Sequence, residues 1–201
     1  PQPDADELIA ALNRELGSPE IHFYSGVSYR HILVLSGASY SSRIKADKPD
    51  DNQGEKINAH LPNAMDPSSE STAALLRRLI AEAPAILEAH PANRRRVKEG
   101  HAPANGIWPW SGGKIGALQS LSDKYKIRGA VISAVDVIRG LGKCLGMEVI
   151  DVPGATGYID TNYEGKADAA IRALRSFDLV YLHLEAIDEV SHAKDLKLKI
   201  Q

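Results

Sequence analysis

Leu179-Val-Tyr-Leu-His-Leu-Glu-Ala-Ile-Asp-Glu-Val-Ser-His192 is the stretch whose reading decides the fold. It reads as a buried strand that runs into an acidic, histidine-bearing turn. Leu179, Val180, Tyr181, Leu182 and Leu184 are strand formers. Asp188 and His192 follow four apart, so a helical continuation puts both on one face. A carboxylate and an imidazole at the carboxyl end of a strand make half of a divalent metal site. Ligands of open α/β sheets bind at that end. The competing reading is structural: Asp188 caps a helix and His192 is a solvated helix residue.

The sequence around this stretch alternates strand and helix. Gly129-Ala-Val-Ile-Ser133 reads as a buried strand, Val135 to Leu145 as a helix ended by Gly146, and Met147 to Val152 as another strand. Thr161 and Glu164 have the spacing of a capping box for a helix running to Ser176. Near-continuous apolar strands separated by helices predict a parallel sheet covered on both faces. Ile107-Trp108 reads as a strand start and Leu118 to Tyr125 as a short helix.

The first hundred residues have a different texture. Apolar residues at 8, 9, 12 and 16 predict a helix over 4–16. Glu20 to Tyr24 and Tyr29 to Leu35 predict an antiparallel hairpin. Residues 36–69 are polar and rich in turn formers, the pattern of a binding loop or lid. Ser68 to His90 carries a long apolar stripe, capped by Ser69 or Ser71, that Pro84 is expected to kink or divide. Asn93-Arg-Arg-Arg96, with Lys98 and His101, reads either as a solvated linker or as a phosphate-facing edge. The expected organisation is an α+β module over 1–102 and an α/β sheet domain over 103–201, hinged near residues 98–104.

The chain has 201 residues, 25% of them charged, and a formal net charge of -2. That near-neutral balance gives no electrostatic case for nucleic acid or an acidic membrane as partner. Cys144 is the only cysteine, so no internal disulfide forms, in keeping with a reducing cytoplasm. No apolar run reaches the length needed to span a bilayer. Ser111-Gly-Gly-Lys-Ile115 fails as a P-loop: serine stands where a glycine belongs, and Ile115 where a magnesium-binding hydroxyl is required, which argues against ATP. No Gly-x-Ser-x-Gly elbow is present. His22, His31 and His60 have no companions at metal-ligand spacing. The ends, Pro1-Gln-Pro3 and Lys197 to Gln201, lead us to expect an excised piece of a longer chain.

Four motifs carry a family resemblance in order from about residue 90 to 201. They are Ala102-Pro-Ala-Asn-Gly-Ile-Trp-Pro-Trp110 with Gly112-Gly113, Gly129 to Gly142, Val152-Pro-Gly-Ala-Thr-Gly-Tyr-Ile-Asp-Thr-Asn162 with Lys166, and His183 to His192. Together they resemble the cofactor-independent phosphoglycerate mutases of the archaeal type, in the alkaline-phosphatase superfamily. The first ninety residues agree more loosely, chiefly at Tyr29-Arg30 before a strand.

The resemblance implies a partial phosphatase-like sheet domain preceded by an inserted, substrate-closing domain. It implies two divalent metals (Mn2+, Mg2+ or Zn2+), with Asp188 and His192 as two ligands of one, and the rest of the site outside this chain. It places Lys124 where a lysine contacts the transferred phosphate. It makes Arg30 and the cluster holding Arg94 and Arg95 candidates for substrate arginines. The serine nucleophile would also lie outside the chain, so the isolated chain is expected to be inactive. The remainder of the parent catalytic domain and phosphoglycerate are the expected partners. Two departures stand out: Pro49-Asp50-Asp51 where relatives tend to read Pro-His-Asp, and Ser191 where a glycine is usual. The alternatives are a non-catalytic phosphometabolite-binding fragment, and a phosphatase or phosphonate-processing enzyme of the same superfamily.

Overall fold

The computed structural model describes residues 2–27, 29–116, 118–192 and 195–200, the side chain of His192 excepted. The chain divides into two compact units, Pro1–Ile115 and Gly116–Gln201.

In the first unit, helix α1 (Gln2–Leu16) buries Leu8, Ile9 and Leu12 against the hairpin of β1 (Ile21–Tyr24) and β2 (Ile32–Leu35) and against α2 (Glu70–Ala89). The hairpin is antiparallel, with Ile21 opposite Leu35 and Phe23 opposite Leu33. β2 begins later than Tyr29 because a turn intervenes, closed by the amide of Arg30 donating to the carbonyl of Val27. Asn13 locks α1 to the hairpin: its Oδ1 accepts from the Phe23 amide at 2.7 Å and its Nδ2 donates to the Phe23 carbonyl at 2.6 Å.

The long polar stretch has more structure than its sequence predicts. β3 (Ile44–Lys45) and β4 (Asn63–Ala64) form a short antiparallel pair, and three 3-10 turns lie at Pro49–Asn52, Ile57–Ala59 and Pro67–Ser69. The lead into α2 is capped by Asp66, whose carboxylate accepts from the Ser68 amide while the Ser69 hydroxyl accepts from the Asp66 amide. Ser69, at the N-cap position of α2, makes no side-chain cap bond to that helix, and Ser71 lies inside it. α2 continues through Pro84 without a break. The buried stripe of Leu76, Leu79, Ala83 and Leu87 holds it against the core, so packing outweighs the one backbone bond that proline removes.

α3 (Pro91–Lys98) follows, and the expected hinge at 98–104 is fastened to the first unit. Asn93 is 4% exposed; its Nδ2 donates to the Ala104 carbonyl at 3.0 Å and its Oδ1 accepts from the Ala104 amide at 2.8 Å. Ala104 and Ile107 pack on the core. Trp108 belongs to no strand; its indole N–H donates to the Asp47 carbonyl at 2.9 Å. The division between units therefore falls after Ile115.

The second unit is α/β. α4 (Leu121–Tyr125), β5 (Gly129–Ile132), α5 (Asp136–Cys144), β6 (Glu148–Val149), α6 (Tyr163–Ala173), β7 (Leu179–Leu182), α7 (Ala186–His192) and α8 (Leu196–Ile200) follow in order. The sheet is parallel, in the order β6-β5-β7. β6 lies on one side of β5 and β7 on the other, so the two crossovers run in opposite directions, and the right-handed rule for such connections assigns α5 and α6 to opposite faces. β5 is buried throughout. β7 is not, contrary to its sequence reading: Leu179 is 42% and Tyr181 48% exposed, because β7 is the edge strand of this three-stranded sheet. The cap of α6 is Asn162, whose Oδ1 accepts from the Gly165 amide; the Thr161 hydroxyl turns to the Thr156 amide instead. Gly146, at φ 71°, closes α5 in the left-handed conformation that favours glycine.

Candidate active site

The carboxyl ends of β5 and β7 meet side by side. Ser133, 3% exposed, follows β5, and His183 follows β7. The His183 amide donates to the Ile132 carbonyl at 2.9 Å, extending the ladder by one bond. The His183 ring lies between two partners, Nδ1 at 3.2 Å from the Ser133 Oγ and Nε2 at 3.0 Å from the Glu185 Oε2. The Ser133 Oγ also accepts from the Val135 amide at 3.0 Å, so the hydroxyl joins the start of the segment after β5 to the His183 ring. This is the end of the sheet at which the winding reverses, where ligands of such sheets bind.

Lys166 runs beneath the same corner. It is 1% exposed, and its Nζ donates to the carbonyls of Thr156 (3.4 Å) and His183 (3.3 Å). Burial pushes its ammonium pKa down. Sequence reading gave Ser133, His183, Glu185 and Lys166 no roles of their own. Lys166 was findable, since it shares an i, i+3, i+7 stripe with Ala169 and Ala173, the buried face of α6.

Asp188 lies in the first turn of α7, its amide donating to the Glu185 carbonyl at 2.9 Å. It is therefore within the helix and not its N-cap, and a carboxylate there favours the helix dipole. His192 ends α7 one turn on; its side chain lies outside the described residues. Among the described residues, no group of three or more His, Cys, Asp or Glu gathers at metal-binding distance. The donor types of Asp188 and His192, a carboxylate oxygen and an imidazole nitrogen at i and i+4, fit a manganese or zinc ion as two ligands of a larger set. Lys124 is exposed on α4, its Nζ 5.0 Å from the Tyr125 ring centroid. α4 leads into the amino end of β5, whereas α7 leaves the carboxyl end of β7, so the contacts of this unit do not bring Lys124 to Asp188.

The candidate arginines lie in the first unit. Arg30 is exposed just before β2, its guanidinium 5.0 Å from the Tyr29 ring centroid. The three arginines of α3 divide. Arg95 reaches Glu7 at 2.7 Å and Asp4 at 3.3 Å, and these carboxylates raise its pKa. Arg96 donates to the Ala102 carbonyl at 3.0 Å and lies 3.7 Å from Asp4. Both tie α3 to its own unit. Arg94 is exposed, and its guanidinium has no partner among the described residues. His60 is a bridge, not an ordinary surface histidine: Nδ1 lies 2.9 Å from Asp47 and Nε2 2.7 Å from Glu55.

Residues 1–93 match the family described as 2,3-bisphosphoglycerate-independent phosphoglycerate mutase. Over 195 residues the chain is 45% identical to a probable 2,3-bisphosphoglycerate-independent phosphoglycerate mutase of Geobacter sulfurreducens, covering 97% of this chain and 47% of that protein. It is 43% identical over 198 residues to the phosphoglycerate mutase of that name from Methanosarcina acetivorans, with 98% and 48% covered. Among solved structures it is similar to the cofactor-independent phosphoglycerate mutase of Thermoplasma acidophilum, at 33% identity and a TM-score of 0.58, covering 88% of this chain and 46% of that one. A protein of Pyrococcus horikoshii shares the fold at a TM-score of 0.70 and 24% identity. The chain spans about half the length of the curated relatives it matches. By sequence and by fold, then, nearly the whole chain resembles about half of a 2,3-bisphosphoglycerate-independent phosphoglycerate mutase.

Proposed function

We propose that this chain is part of an enzyme that interconverts 3-phosphoglycerate and 2-phosphoglycerate through a phosphoserine intermediate. The observation that carries this reading is the match of nearly the whole chain, at 43–45% identity, to relatives named for that activity. The distribution of charge supports it. Arg94 and Arg30 are exposed cations on the first unit, suited to the phosphate and carboxylate of a phosphoglycerate. Asp188 and His192 are the metal ligands this chain supplies; Lys124 is a candidate for the transferred phosphate by resemblance alone, since α4 enters β5 at the end of the sheet opposite Asp188. Divalent metal, when bound, polarises phosphoryl oxygens and lowers the pKa of a hydroxyl nucleophile. Asp188 contributes negative charge and a fixed direction to that site, and His192 a neutral nitrogen donor.

The further partner is the rest of the parent catalytic domain. The exposed apolar side chains of β7, Leu179, Tyr181 and Leu182, make that edge the place for it to pair. No helix among the described residues is long and apolar enough to cross a membrane, and we infer a cytoplasmic enzyme.

The test is 31P NMR of the full-length protein with 3-phosphoglycerate and manganese, without 2,3-bisphosphoglycerate. Appearance of the 2-phosphoglycerate resonance supports the proposal. Release of inorganic phosphate instead would make the protein a phosphatase of the superfamily. Binding without either product would make it a non-catalytic phosphometabolite binder.

A further inference from the structure

A buried lysine is an expensive residue. Taking an ammonium out of water costs several kcal/mol unless good partners replace the water. Lys166 is 1% exposed and has two long hydrogen bonds, 3.3 and 3.4 Å, both to carbonyls. Among the described residues no carboxylate pairs with it. A methionine would fill the same volume on the face that buries Ala169 and Ala173 at no such cost. What methionine cannot do is hold two carbonyls from distant parts of the chain.

Those two carbonyls mark what the lysine joins. Thr156 belongs to the irregular segment between β6 and α6, which is folded on itself: the Thr156 amide donates to the Thr161 Oγ1 at 2.9 Å and the Thr156 hydroxyl to Asp160 at 2.6 Å. His183 is the first residue past β7. From His183 the connection runs on without a gap. Its ring meets Glu185 at 3.0 Å, the Glu185 carbonyl accepts from the Asp188 amide at 2.9 Å, and Asp188 opens α7.

We propose that Lys166 is a positioning residue: its buried ammonium fastens Thr156 to the carboxyl end of β7 at His183, and through His183 and Glu185 it sets the turn that presents Asp188. It touches neither substrate nor metal. The proposal rests on Asp188 being a metal ligand, and the experiment separates the two.

The experiment uses the full-length protein with Lys166→Met, which keeps volume and removes the donors, and Lys166→Gln, which keeps a shorter donor. Hydrogen exchange reads the fastening directly. Lys166→Met should speed exchange of the amides of residues 154–162 and 183–189 by at least tenfold and leave residues 130–132 of β5 as protected as before. Lys166→Gln should fall between the two proteins. Manganese affinity, followed by calorimetry, should drop about tenfold in Lys166→Met with the KM for 3-phosphoglycerate unchanged. Exchange that rises uniformly through β5 would show a merely structural lysine and overturn the proposal. So would unchanged exchange at 183–189. Manganese affinity that survives Lys166→Met but is lost in Asp188→Asn would also overturn it. Affinity that survives Asp188→Asn counts against the metal reading of Asp188 and not against the fastening, which the exchange data decide.

Discussion

Asn93 grips Ala104 by both its amide and its carbonyl, at 2.8 and 3.0 Å, and so closes an eleven-residue loop onto α3. The same Nδ2 also lies 3.2 Å from the Leu87 carbonyl at the end of α2. One buried carboxamide therefore holds α2, α3 and the strap that leaves them. Asn93→Ala removes these bonds and leaves their partners underused, at about 1–3 kcal/mol. Urea unfolding of the first unit should show the midpoint move down with an unchanged slope. A variant as stable as the wild type would mean the strap is held by Ile107 and Trp108 alone.

Arg94 and Arg95 are neighbours with opposite predicted phenotypes. Arg95 is engaged by Glu7 and Asp4, so Arg95→Ala should lower the Tm and leave the KM for phosphoglycerate where it was. Arg94 has no such partner, and Arg94→Ala should leave the Tm alone. In the full-length enzyme it should weaken substrate binding by about 1.5–3 kcal/mol, the worth of a hydrogen bond to a charged group. Steady-state kinetics with melting curves on both variants decide; the same outcome for both would remove Arg94 from the substrate site.

The His60 bridge predicts a pH dependence whose sign follows from its partners. A neutral imidazole has one N–H and can donate to only one of Asp47 and Glu55; the imidazolium donates to both. The hydrogen bonds to Asp47 and Glu55 accordingly raise the His60 pKa, and the one to His60 lowers that of Asp47. A raised histidine stabilises fully below its unfolded value, about 6.5, and loses that contribution as pH climbs through its folded value. A lowered aspartate stabilises above about 3.9 and loses its contribution as pH falls through its folded value. The Tm difference between wild type and His60→Phe should therefore be largest between about pH 4 and 6.5 and shrink at higher pH. A difference that grows above pH 7 would contradict the bridge.

Local pattern carried most of the sheet unit. The apolar runs at 129–132 and 179–182, the helix stop at Gly146 and the turn into α7 are readable because each is set by neighbours in sequence. The misreadings are places where distant groups decide. Ile107-Trp108 has strand-forming residues but no strand to pair with, and Trp108 spends its N–H on Asp47, sixty-one positions away. Pro84 passes through α2 because the core holds both halves. In the candidate site, the placement of Asp188 in a helix after β7 was legible from the local pattern, whereas the meeting of Ser133 with His183 depends on which strands are adjacent, and spacing does not encode that. The split between Arg94 and Arg95 depends on where α1 places Asp4 and Glu7.

Gly142 sets two principles against each other. It lies inside α5, where replacing glycine with alanine ordinarily stabilises by about 1 kcal/mol. Here a β-carbon would stand 2.5 Å from the Val131 Cγ1, and Val131 is 1% exposed in the fully buried strand β5. Such an approach forces helix and strand apart, and overpacking a core of this kind costs about 1–3 kcal/mol. The steric cost exceeds the propensity gain, so Gly142→Ala should destabilise the second unit by up to about 2 kcal/mol. The double-mutant cycle isolates the cause. Val131→Ala alone is destabilising, since it leaves a cavity, but in that background Gly142→Ala should become stabilising as helix propensity is left unopposed. Chemical denaturation of the four proteins gives the coupling. A Gly142→Ala protein that gains stability with Val131 intact would show that α5 can lift off β5 at little cost, and that the close approach is not what keeps a glycine there.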